Sequence, residues 1–149
     1  LTHSPGFGPG SFNKRNRPMK FRMVKSLVSQ ALKIADFTDN EDTTGYIDFD
    51  TDLPAGAIPL GWQAKVTEGF SGDTTAVLQV GKDGDVDKYS ANTAQSCLAA
   101  GTVGSLALAA DAMTGFATAQ TPRVTVTGGA DFGSITAGEM TVEMFYIEP

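Results

Sequence analysis

Alternation of apolar and polar side chains is the feature of this chain that most limits what it can fold into. Successive side chains on a β-strand point to opposite faces, so an alternating segment is predicted to be a strand with one face in a core. In the last such segment, 139–147, the intervening residues are also fairly apolar, which predicts a central strand or a contact between subunits. The pattern recurs with apolar residues at Trp62, Ala64 and Val66, at Ala76, Leu78 and Val80, at Val124 and Val126, and at Met140, Val142, Met144 and Tyr146.

Turn-forming proline, glycine and aspartate residues separate these segments. Short strands divided in this way are typical of a β-sandwich or barrel. We therefore predict an all-β, jelly-roll-like β-sandwich of about eight strands with an extended N-terminal arm. A helix over 24–34 is the alternative for the first strand, because Val24, Leu27, Val28 and Ala31 also recur at helical spacing. The predicted strands cover residues 24–36, 45–51, 59–69, 74–80, 86–90, 103–109, 115–127 and 139–147.

Charge divides the chain into two parts. The first 35 residues hold seven of the eleven basic residues and no acidic one. The remainder holds all 17 acidic residues and four basic ones, a net charge of −13. We predict an extended basic arm over 1–22, followed by one β-sandwich domain over 23–149, a size that a single core can support.

The arm is predicted to bind a partner. Its start is dense in proline and glycine, which prevents it from forming a core of its own. Two aromatic residues on a cationic segment suit docking onto an anionic protein surface, and a disordered terminus is the alternative. Nucleic acid is not the expected partner, because the acidic body repels phosphates. The predicted partner-binding residues are Phe7, Phe12, Lys14, Arg15, Arg17, Lys20 and Arg22.

Residues that could carry catalysis are few. Cys97 is the single cysteine, so it is interpreted as a small buried residue, and His3, the single histidine, lies in the arm. Two acidic clusters, 36–42 and 83–87, are interpreted as solvated loops, since the second lacks the glycine and glutamate of a calcium loop. We expect no catalytic residue, no cofactor, no metal and no enzyme activity. No segment approaches the roughly 18 apolar residues that span a bilayer, so no membrane partner is expected.

Several segments resemble the virion structural proteins of tailed bacteriophages. They contain a proline–glycine turn, a strand that ends in valine–glycine and a final strand that closes on Tyr146 and Ile147. The resemblance is to the capsid decoration, or cement, proteins, and it implies a jelly-roll-like domain on the outer surface of the capsid. It also implies the major capsid protein as partner and self-association as a homodimer or homotrimer. The segments that carry it are 53–62, 66–73, 76–81, 124–129, 137–142 and 146–147.

Two other virion roles stay open at this point. One is a head-fibre or tail adhesion module that binds a host-surface glycan. The other is a collar or tail connector. The scarcity of tryptophan and tyrosine counts against the adhesion module, because sugars stack on such rings.

Overall fold

The computed structural model describes residues 22–90, 94–105 and 115–149. Within these ranges the chain forms strands and two short 3-10 turns, Ile34–Asp36 and Phe132–Ser134. The strands are β1 (Val24–Val28), β2 (Leu32–Lys33), β3 (Thr38–Asp39), β4 (Thr44–Asp48), β5 (Ile58–Ser71), β6 (Ala76–Gly81), β7 (Gln95–Ser96), β8 (Gly101–Ser105), β9 (Arg123–Gly128) and β10 (Ala137–Ile147).

The strands form two antiparallel sheets, which we name after their central strands. The β10 sheet has the order β1-β10-β5-β8, with β2 also paired to β10, and the β9 sheet has the order β3-β4-β9-β6-β7. Because β1 and β2 pair with successive parts of β10, they act as one interrupted strand, and β3 is a short addition to β4. The eight strands that remain are distributed between the sheets in the order of a jelly roll, with β6 and β7 as consecutive strands of one sheet and all other consecutive strands in different sheets. The predicted fold class is confirmed.

The core lies between the sheets and follows the predicted alternation. Trp62, Ala64 and Val66 are buried while Gln63 and Lys65 are exposed, as the sequence predicts. Strand β10 lies between β1 and β5, so the predicted central position of the last strand is confirmed. Three rings close one end of the core: Phe37 packs against Phe70 and Phe132, with ring centroids 5.8 and 5.9 Å apart.

The first predicted strand, 24–36, is interrupted in the structure. The Ser29 hydroxyl accepts a hydrogen bond from Val142 N (3.0 Å) and donates one to Gln30 O (2.8 Å). A side chain thus replaces a backbone partner between β1 and β2, and the chain ends the segment in a 3-10 turn. The alternative of a helix over 24–34 is wrong.

The predicted strand 86–90 is also wrong, since residues 86–90 form turns. Ser90 holds this segment beside β6: its hydroxyl accepts from Val80 N at 2.7 Å and donates to Val80 O at 3.1 Å. The sheet position next to β6 belongs to β7 instead. The predicted strand 115–127 begins only at Arg123, because Pro122 has no N–H to donate to a ladder. Residues 106–109 of the predicted strand 103–109 lie outside the described residues.

Gly138 gives a test of the packing between β10 and β5. It has φ +150°, and a Cβ built there would lie 2.5 Å from Phe70 Cγ, whereas Gly101 has φ +151° and nothing within 4 Å. Both substitutions to alanine carry the backbone strain, roughly 1–3 kcal/mol. We expect Gly138→Ala to lose about 1–3 kcal/mol more of the free energy of unfolding than Gly101→Ala, because its methyl group overpacks the Phe70 ring. Urea denaturation measures both, and equal losses would contradict the packing described here.

Candidate functional site

The outer face of the β10 sheet carries an apolar surface built from three strands. Directly paired residues place their side chains on the same side of a sheet. Val24 pairs with Ile147, which pairs with Ile58, so these three side chains form one row. The next row brings Phe145 between Ser26 and Gly61, and the third brings Glu143 between Val28 and Gln63. We call Val24, Val28, Ile58, Phe145 and Ile147 the β1 face.

Exposure is highest at the strand that borders this face. Val24 is 61% exposed and Val28 52% exposed, and Met23, at the head of the strand, is 61% exposed. These are three of the five large apolar residues that are exposed in the described part of the chain. Among the described strands β1 pairs only with β10, so it forms a sheet edge. Exposed apolar side chains concentrated beside a free edge are typical of a protein contact surface.

Two shallow concavities extend this surface toward β8. One, of about 400 Å³, includes Phe145, Gln63 and Gly104 in its wall. The other, of about 370 Å³, includes Val28, Lys65 and Glu143. Gln63 and Thr102 belong to both walls. The face is thus apolar at β1 and polar at β8, the mixture that protein interfaces show between core and rim.

An ion pair fixes the end of β1 to the end of β10. The Lys25 ammonium lies 2.8 Å from Glu148 Oε2, and Glu148 N donates to Met23 O at 2.9 Å. The hydrogen bond to Glu148 raises the pKa of Lys25, and the same bond lowers the pKa of Glu148. Lys25 is exposed and Glu148 half-buried, so the pair contributes little to the free energy of folding and mainly orients the chain.

The outer face of the β9 sheet is polar, and Arg123 lies at the start of β9, a central strand of this sheet. Arg123 Nε and Nη2 donate to the two carboxylate oxygens of Asp48 at 2.6 and 3.0 Å. Nη1 donates to Asp83 at 2.9 Å, and the guanidinium carbon lies 3.8 Å from the centre of the Tyr46 ring. The hydrogen bond to Asp48 raises the pKa of Arg123. Arg123 therefore joins β4, β9 and the turn at 83 in one fixed arrangement.

The sequence-predicted binding residues fall mostly outside this description. Phe7, Phe12, Lys14, Arg15, Arg17 and Lys20 lie outside the described residues. Arg22 is described and exposed, two residues before Val24, so the chain reaches β1 from the predicted arm. The β1 face was not predicted from the sequence. The sequence contains one signal for this face: Phe145 and Ile147 are apolar although they occupy the outward-facing positions of the last predicted strand.

The residues weighed for chemistry take structural positions. Cys97 is fully buried, as interpreted, and its Sγ donates to Ala76 O at 3.5 Å. Asp42 accepts from Thr44 N and Oγ1 at 2.6 and 2.7 Å, closing its own turn. In the described residues, no group of three or more His, Cys, Asp or Glu side chains is placed to hold a metal ion. No helix within the described ranges is long and apolar enough to cross a membrane.

Cys97 is predicted to be unreactive in the folded protein. Burial raises the pKa of its thiol to about 12, so almost no thiolate forms near neutral pH. We expect iodoacetamide to label Cys97 at least about 100-fold more slowly in the native protein than in urea at the same pH. Mass spectrometry over time measures the modified fraction, and rapid native labelling would show that the β6–β7 region opens readily.

Comparisons with known proteins give a match in fold. No protein-family model matches the sequence, and no curated protein matches it. A chain of a solved structure described as the cyanophage Pam1 capsid asymmetric unit is similar, with a TM-score of 0.54 and 21% sequence identity. The similarity covers 100% of this chain and 94% of that chain. At this identity the two chains share a fold, and they are of nearly the same length.

Proposed function

We propose that this chain is a structural protein of a phage virion that decorates the outer surface of the head. In this role it contacts the major capsid protein and stabilises the contacts between capsid subunits. The observation that carries the proposal is the nearly end-to-end similarity of the fold to a chain from a capsid asymmetric unit. A jelly roll is a common architecture of viral capsid domains, although a fold alone does not assign a function.

The β1 face is the surface that we assign to the capsid contact. Val24 and Val28 expose more than half of their area to water, and Ile58, Phe145 and Ile147 continue the surface inward. Covering apolar area contributes roughly 25 cal/mol per Å², so a partner seated here gains affinity from each of these side chains. Lys65 and Glu143, beside this face, supply polar contacts that set its orientation.

The arm fits the same contact. Arg22 is exposed and lies two residues before β1, and the other basic residues of the predicted arm precede it in the sequence. An anionic partner surface would attract these basic residues, and the attraction would weaken as salt rises. The roles of Phe7, Phe12 and the basic residues from Lys14 to Lys20 remain predictions from the sequence.

In the proposed role the chain stabilises the capsid by binding to it and catalyses no reaction. A protein that binds the assembled shell, and not its free subunits, stabilises the shell by mass action. Self-association as a dimer or trimer would let one molecule contact several capsid subunits, and β1 offers a free edge for that purpose.

Copy number separates decoration from the other virion roles. In purified particles that carry this chain, we expect hundreds of copies, in a fixed ratio to the major capsid protein. We also expect particles that lack the chain to release their DNA at a lower temperature, because the stabilising contacts are missing. Quantitative gel densitometry and a DNA-binding dye during heating measure the two quantities. A dozen copies or fewer would indicate a connector or tail component, and an unchanged release temperature would refute stabilisation.

Two exposed valines test the β1 face directly. We expect Val24→Thr and Val28→Thr each to weaken binding to decoration-free particles by about three- to tenfold, because each places a hydroxyl in an apolar contact. Threonine keeps the β-branched shape, so the strand itself is retained. Val86→Thr is the matched control, since Val86 is 44% exposed on the opposite side of the sandwich. Sedimentation of labelled protein with particles measures the bound fraction, and equal effects at all three valines would refute this assignment.

A further inference from the structure

The outer face of the β9 sheet holds a further concavity that the proposed capsid contact does not use. Cross-strand pairing sets its rows: Thr125 lies between Tyr46 and Gln79, and Thr127 lies between Thr44 and Val77. The concavity has a volume of about 260 Å³. We call it the Thr125 site, and it is lined by Asn40, Thr44, Tyr46, Gln79, Val86, Arg123, Thr125 and Thr127.

Thr125 is buried without a hydrogen-bond partner in the described part of the structure. It is only 4% exposed, and its Oγ1 makes no hydrogen bond to any described residue. Leaving a buried hydroxyl unpaired is costly, so nearly all such groups in proteins have a partner. Thr125 forms part of the lining of the concavity, so a ligand seated there lies against this side chain.

The neighbouring polar groups are also available. Gln79 and Thr127 line the concavity, and neither side chain makes a hydrogen bond to a described residue. Arg123 is held by Asp48 and Asp83, and its Nη1 and Nη2 each carry a second N–H that these bonds do not use. The site therefore offers donors and acceptors in fixed positions, spread over neighbouring strands.

The local charge selects the class of ligand. One guanidinium faces two carboxylates, those of Asp48 and Asp83, so these three groups beside the concavity carry a net negative charge. An anionic ligand would be repelled, because the positive charge of Arg123 is already balanced by its ion pairs. A neutral ligand rich in hydroxyl groups is not repelled and can still accept from the unused N–H groups of Arg123.

The volume of the concavity and the apolar groups in its wall further limit the class of ligand that fits. A volume of about 260 Å³ is below the roughly 300 Å³ of sites for drug-sized ligands, so it suits a single small ring. Val86, 44% exposed, and the Tyr46 ring provide apolar contacts for the C–H groups of such a ring. We propose that the Thr125 site binds a neutral saccharide through one pyranose ring, hydrogen-bonded to Gln79, Thr125, Thr127 and Arg123.

This site and the β1 face lie on opposite outer faces of the sandwich. Binding of a saccharide does not depend on the proposed capsid contact. If the β1 face does contact a capsid, the Thr125 site faces away from the shell. The decorated particle would then present one saccharide site for each copy of the chain.

The test uses the full-length chain on an array of immobilised neutral and sialylated oligosaccharides. We expect binding to a subset of neutral glycans and no binding that requires sialic acid. Titration calorimetry with the strongest neutral glycan then compares variants. Thr125→Val is expected to weaken its binding about three- to tenfold, because valine keeps the shape and loses the hydroxyl. Gln79→Ala is expected to weaken it similarly, and Thr102→Val, on the outer face of the other sheet, is the matched control.

Thermal unfolding separates binding from stability. Thr125→Val is expected to keep or raise the melting temperature, since it removes an unpaired buried hydroxyl. A lowered melting temperature would show that the hydroxyl has a structural partner and would overturn the proposal. So would an array without any neutral ligand, binding of sialylated glycans alone, or equal affinity in the wild type, Thr125→Val and Gln79→Ala. Particle sedimentation tests the β1 face and does not depend on these results, so the capsid proposal is tested separately.

Discussion

The antiparallel pairing of β10 with β5 is the interaction on which the rest of the structure depends. It joins the two longest strands over their whole overlap, from the pair of Ala137 with Ser71 to the pair of Ile147 with Ile58. On the inner side this register places Met144 beside Trp62 in the core. On the outer side it places Phe145 and Ile147 where β1 can extend them into an apolar face. One register therefore determines both the core and the contact surface.

The fold could be predicted because a strand with one buried face alternates apolar and polar residues in its sequence. Trp62, Ala64 and Val66 alternate with polar residues in the sequence and face the core in the structure. The predictions failed where a serine hydroxyl replaces a backbone partner. Ser29 interrupts the first strand, and Ser90 holds a turn beside β6 where a strand was predicted. Both bonds join residues that are not neighbours in the sequence, so the alternation of apolar and polar residues does not predict them.

The two candidate surfaces were harder to predict for a related reason. Val24, Ile58 and Ile147 come from distant parts of the sequence and meet only through strand register. Thr125 has the sequence signature of a solvent-facing residue, because it lies between the inward-facing Val124 and Val126. In the structure it is nevertheless buried. The basic arm, by contrast, could be predicted. Its excess of basic residues without any acidic one is visible in the sequence alone.

The edge strands of the two sheets differ in length, and this difference affects how the protein aggregates when copies are crowded together. The β9 sheet ends in β3 and β7, each of two residues, whereas β1 extends over five. Two-residue edges offer too few free backbone groups to recruit a foreign strand, while β1 offers a usable template. Uncontrolled aggregation at high local concentration is therefore restricted, among the described strands, to the edges of the β10 sheet, where β1 and β8 each extend over five residues. Shielding these two edges would keep densely packed copies from fusing into fibrils.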